Sequence, residues 1–301
     1  MDAVGTPPFP HAHPDPVGDH PELPPGVTPA ASRRPRWRPL SALLALVGGL
    51  VAALTGAVVI GLLAAPFGAD LSDPPGSVTI LGTVWQDLCF IGAALFFARA
   101  AERPRPWQFG LRRTRLWPAV GWAVVAWLSF YVFTAAFVGI LGLDPQEDDL
   151  PEQLGVDGNA FALIVVAILV AVIAPVAEEF FFRGFIFGAL RNWKGTWPAA
   201  VLTGLIFGGI HAGSSDPAYL VPLAAFGFAL CLLYVKTGSL YPCIGLHCAN
   251  NSVAFGVTQD WSWQIPVLFV GSMALITGLA LLVERLWDRA PGPAPAAAAT
   301  A

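Results

Sequence analysis

The chain has 301 residues, 55% of them hydrophobic and only 12% charged, with mean hydropathy +0.64 and a formal net charge of −4. A water-soluble domain carries roughly twice that charged fraction, so a soluble globular fold is excluded. The mild acidity points away from a nucleic-acid partner.

Residues 1–38 are rich in Pro, His and Asp without periodicity and read as a disordered cytoplasmic tail. Apolar stretches of the length needed to cross a bilayer as helices, roughly 17–25 residues, then recur along the chain. Eight are read, at about 40–66, 77–98, 117–142, 160–190, 197–212, 218–235, 239–258 and 263–284, the fifth being short. The expected class is therefore all-α, a polytopic membrane protein of about eight transmembrane helices. The membrane domain is placed at 39–286, and 287–301 (DRAPGPAPAAAATA after Trp287) is a low-complexity cytoplasmic tail. The 39 residues ahead of the first span and its long apolar stretch argue against a cleaved signal peptide.

Charge sets the expected orientation, because basic residues favour the cytoplasmic side of short loops. Arg33, Arg34, Arg36 and Arg38 precede span one, and Arg99, Arg103, Arg105, Arg112, Arg113 and Arg115 surround the second connection. Arg183, Arg191 and Lys194 fall in the inner part of span four and its loop, Lys236 follows span six, and Arg285 and Arg289 follow span eight. The opposite connections hold acids such as Asp70, Asp73, Asp216 and Asp260 and an acidic run over 144–157, with no basic residue. Both termini are thus expected in the cytoplasm. With 14 Arg against 2 Lys beside abundant Ala and Pro, the composition suits a GC-rich bacterium, hence a multi-pass protein of the bacterial plasma membrane in contact with the lipid bilayer.

Residues 177–184 read AEEFFFRG, two adjacent glutamates and an arginine inside an apolar run. Ionisable groups at bilayer depth are costly and by default mark a functional site. Positions i and i+4 are neighbours on a helix, so Glu179 and Arg183 are placed to pair. Glu178 points about 100° away without a local partner and suits a general base. Phe207 with His211 and His247 with Asn251 repeat the i, i+4 spacing on later spans. Counted from an inner boundary near Leu190, Pro198 and Leu240, Glu178, His211 and His247 lie 12, 13 and 7 residues into their spans. That is roughly 10–20 Å of depth at helical rise, so all three are expected to line one intramembrane active-site cavity. Asp87 in span two is a further acid with two readings, one in which it faces the cavity and the favoured one in which it pairs with a backbone or hydroxyl group. Cys243 and His247 share a helix face, and a thiolate with an imidazole can bind metal; otherwise Cys89, Cys231, Cys243 and Cys248 read as small packing residues.

EE-x3-R at Glu178, Glu179 and Arg183, F-x3-H at Phe207 and His211, and H-x3-N at His247 and Asn251 together resemble the three signature motifs of the CPBP family. These are the CAAX-protease and bacteriocin-processing intramembrane endopeptidases, related to the prenyl-protein protease Rce. The resemblance is strong over 160–258 and departs at no motif position. It implies a protease domain whose catalytic residues are Glu178, Glu179, Arg183, His211, His247 and Asn251. Glu178 would activate water with His211 assisting. His247 and Asn251 would stabilise the oxyanion or join Glu178 and His211 around a zinc ion, while Glu179 and Arg183 hold the geometry. Zinc-assisted and metal-free glutamate–histidine hydrolysis use the same residues, and both stay open. The implied function is an intramembrane endopeptidase acting on membrane-presented peptides or proteins. Two other classes stand beside it: a non-catalytic scaffold or bacteriocin-immunity factor, and a proton-coupled transporter, for which internal repeats are not visible.

Overall fold

The computed structural model describes residues 35, 37–70, 72–143 and 160–288. The segments 1–34 and 289–301, and the acidic run 144–157, lie outside the described residues. Eight helices are formed and no strand occurs among the described residues: α1 Pro39–Ala64, α2 Gly76–Ala101, α3 Leu116–Leu141, α4 Ala160–Lys194, α5 Thr196–Gly209, α6 Leu220–Thr237, α7 Tyr241–Thr258 and α8 Gln264–Asp288. The protein is a polytopic all-α membrane protein.

Six of the helices are long and apolar enough to cross a bilayer. The other two fall short for different reasons. α7 is 18 residues long, but His247, Asn250, Asn251 and Ser252 interrupt its apolar surface. α5 has only 14 residues, about 21 Å of helix against a hydrocarbon core of about 30 Å. Its expected extension to 212 does not form. The amides of Ile210, His211 and Ala212 fold back on Ile206, Gly208 and Gly209, and the glycine-rich run G-G-I-H-A-G carries the chain out of helix into a turn. His211 therefore stands on that turn, within the bundle's depth.

α4 is the central element. It contacts α1, α2, α5, α6, α7 and α8, whereas α1 with α2, α5 with α6, and α7 with α8 form peripheral pairs. Lipid is as apolar as leucine, so helices pair in a membrane through close packing and polar contacts. In the α1–α2 pair Trp85 lies over Gly56 and donates its indole N–H to Ala52 O at 3.0 Å. In the α5–α6 pair Gly204 and Gly208 form a G-x3-G face. A methyl on Gly208 would stand 2.5 Å from Leu220 O and one on Gly204 2.6 Å from Ala224 O. Only glycines permit this approach.

One end of the bundle is tied together by polar bonds between connections. Asn192, near the end of α4, donates to Pro35 O and Trp37 O, and Trp37 packs against Phe109 and Phe185. Ser239 Oγ donates to Arg112 O and Thr114 Oγ1 to Thr237 O. The strongly basic connection after α2 and the turn after α6 are thus held at the same end as the C-terminus of α4.

Candidate active site

Two departures from regular helix bracket the paired glutamates. α4 passes through π-helical turns at Leu169–Ile173 and at Phe180–Ile186, with Ala174–Glu179 between them. Such turns are frequent at functional sites because they shift the facing of side chains. Pro175 lies in the first turn after the upper one and brings no N–H. Ala174 N–H bonds to Leu169 O, so the backbone donor due to Val170 O, five residues on, is the one Pro175 lacks. Asn251 of α7 supplies it: its Nδ2 donates to Val170 O at 3.0 Å.

Below this point the charged groups meet. Arg183 Nη1 donates to Glu179 Oε1 at 2.6 Å, with both side chains fully buried. Its Nη2 donates to Gly227 O at 2.9 Å, and the guanidinium lies 4.5 Å from the centre of the Phe207 ring. Gly227 matters sterically as well, since a methyl there would stand 2.9 Å from Phe207 Cβ. The α5–α6 glycine contact therefore brings both the carbonyl and the ring to Arg183.

His247 links the two glutamates. Its Nδ1 is 2.9 Å from Glu179 Oε1. A carboxylate only accepts, so Nδ1 carries the proton and, in the neutral ring, Nε2 presents a lone pair. Nε2 faces Glu178 Oε2 at 3.9 Å, and that oxygen is buried without a protein hydrogen-bond partner. Two acceptors at that spacing suit one bridging water. Phe207 and Phe226 set their edges against the imidazole, with ring centres at 5.7 and 5.4 Å.

Glu178, Glu179, Arg183 and His247 are thus assembled as one cluster. His211 is placed beside it rather than in it. Its Nδ1 donates to Phe207 O at 2.7 Å and its ring lies 5.0 Å from that of Phe207, which again leaves Nε2 as the acceptor. Phe207 is the wedge between the two imidazoles. Asn251 stands one turn along α7 from His247 with one of its two amide hydrogens given to α4.

A zinc site needs at least three convergent protein donors. Among the described residues no group of three or more His, Cys, Asp or Glu side chains stands close enough to hold a metal ion. Cys243 is used otherwise, its thiol directed at Leu230 O at 3.5 Å.

Asp87 was expected to bond a backbone or hydroxyl group. It is 2% exposed, and both its carboxyl oxygens are buried without a partner. Thr83, one turn back on α2, gives its hydroxyl to Thr79 O instead. Gly204, Gly208 and Gly227 also went unnoticed in the sequence, although the spacing of the first two is a known signature of close helix contact.

Residues 160–253, the segment that carries the three motifs, match the family described as Type II CAAX prenyl endopeptidase Rce1-like. The chain is also similar to the protein named "Putative membrane peptidase YdiL" of Bacillus subtilis (strain 168), with 32% identity over 125 residues, 42% of this chain and 46% of that one. It thus spans about half the length of the curated relative it matches. No solved structure matches.

Proposed function

We propose that the protein is an intramembrane endopeptidase that hydrolyses peptide bonds of membrane-presented peptides with a water activated by Glu178 and His247. The observation that carries this reading is the convergence of Glu178 Oε2 and His247 Nε2 at 3.9 Å, with Nδ1 held by Glu179. Glu179 has the orienting role that a buried carboxylate has in hydrolytic triads: it fixes the tautomer so that Nε2 can only accept. Arg183 holds Glu179 in place.

A water between the two acceptors gives one hydrogen to His247 Nε2 and the other to Glu178, which aims an oxygen lone pair at a carbonyl carbon. As the C–O bond forms, Glu178 takes the water proton. The remaining amide hydrogen of Asn251 is the donor available to the developing oxyanion. When the C–N bond breaks, Glu178 returns its proton to the leaving nitrogen, and a carboxylic acid and an amine depart. No step is routed through zinc.

The test is hydrolysis of a mixed-sequence fluorogenic peptide set by protein reconstituted in vesicles. Glu178→Gln should lower kcat by about 10²–10⁴-fold while the protein still folds and inserts in the membrane. Full activity in that variant sinks the assignment of Glu178 as the base.

A further inference from the structure

α2 runs parallel to α4 with a readable register. Near the start of α2, Ile80 packs on the group that includes Leu163, Val166 and Val170. Further along, Phe90 stacks on Phe181 with ring centres 4.7 Å apart and planes 8° from parallel. Asp87 precedes Phe90 by three residues and Glu178 precedes Phe181 by three. In parallel helices, residues one turn back from a stacked pair face each other again, so Asp87 stands across the helix contact from Glu178. α2 also contacts the Ala174–Glu179 stretch of α4 directly.

A buried polar group without a partner is destabilising. Asp87 has two such oxygens and Glu178 one, in a protein that could have used leucine at 87. The Glu178 atom among them, Oε2, is the same oxygen that faces His247 Nε2.

We infer that Asp87 is a positioning residue: from α2 its carboxyl shares a bridging water with Glu178 and so holds the Glu178 carboxylate toward His247 Nε2. This deepens the endopeptidase reading and rests on it for its kinetic consequence. The juxtaposition of the two carboxyls stands independently of it. Asp87 touches neither the scissile bond nor the attacking water; its effect passes through Glu178.

The experiment compares Asp87→Leu and Asp87→Asn, each alone and combined with Glu178→Gln, in full-length protein, reading melting temperature and peptide hydrolysis. Asp87→Leu should keep or raise the melting temperature, since an unpartnered buried carboxyl is removed. It should cut kcat by about 10–100-fold with KM unmoved. Asp87→Asn, which can still hold a water, should recover part of kcat and guards against a leucine variant that does not fold. The melting shifts of Asp87→Leu and Glu178→Gln should depart from additivity by about 3 °C. Additive shifts overturn the juxtaposition whether or not the protein hydrolyses peptides. An active wild type whose kcat ignores both substitutions overturns the positioning role. A wild type without hydrolysis removes the endopeptidase reading, and the melting cycle still decides whether Asp87 and Glu178 face each other.

Discussion

α3 and α4 are both long apolar helices, yet they are built for different surroundings. None of the most apolar window of α3 is buried, against 39% of that of α4. α3 is an unbroken helix from Leu116 to Leu141. α4 is twice loosened into π-helical turns and carries Pro175, Glu178, Glu179 and Arg183. In a bilayer, apolar residues do not distinguish a lipid from a neighbouring helix. Partner choice falls to polar groups that must be satisfied and to small residues that permit close approach. α4 is buried because its charged groups and freed carbonyl call for partners, and α5, α6 and α7 supply them. Helix α3 needs little, and most of it faces outward.

The sharpest way to break the contrast is to remove the charge at its centre. Arg183→Ala leaves Glu179 charged and buried, and breaking such a pair costs about 3–5 kcal/mol. His247 would also lose a correctly held partner, so hydrolysis should vanish together with stability. Arg183→Lys should not restore it, because a single ammonium cannot serve both Glu179 Oε1 and Gly227 O with a planar fork. Val132→Ala on α3, at a position 69% exposed, should shift stability by less than about 0.5 kcal/mol. Thermal unfolding in one detergent measures both, and equal effects would mean that α4 is no more dependent on its neighbours than α3.

Glycines offer a finer comparison inside a single helix. Gly208→Ala drives a methyl to 2.5 Å from Leu220 O, whereas Gly209→Ala meets nothing within 4 Å. The first must push α6 away, with an overpacking cost of about 1–3 kcal/mol. It should also lower activity by drawing Gly227 O from Arg183. The second should be neutral or stabilising by a few tenths to about 1 kcal/mol, since alanine favours helix over glycine. Melting temperature and kcat, read side by side, check this pair.

The contrast also explains which features were legible in the sequence. The residues of the charged cluster stood out because a charge in an apolar run has few neutral explanations. The pairing of Glu179 with Arg183 follows from spacing alone. By contrast, spacing cannot show that His247 reaches both glutamates, because that depends on how α7 is set against α4. Nor does it show that Phe207 separates the imidazoles, which follows from the missing side chain of Gly227. His211 was placed on a helix, but the glycines around it end α5 two residues earlier. Asp87 was visible as an unexplained acid, but what α2 packs it against was not, because the register of α2 on α4 is set by aromatic stacking between distant segments. The π-helical turns have no sequence signature beyond the proline between them.

That proline gives the smallest and most specific test. Pro175 removes the amide that Val170 O would otherwise receive, and Asn251 fills the gap from another helix. Asn251→Ala should therefore cost about 1–2 kcal/mol, the price of an unmade bond to a buried carbonyl. Pro175→Ala restores an N–H at the right place in the chain. In that background the penalty for Asn251→Ala should shrink by about 1 kcal/mol, a coupling read from a double-mutant cycle of melting temperatures. Hydrolysis should respond differently. If the second amide hydrogen of Asn251 serves the oxyanion, the double variant regains stability without regaining kcat. Recovery of both together would assign Asn251 to the helix contact alone and leave the oxyanion to another donor.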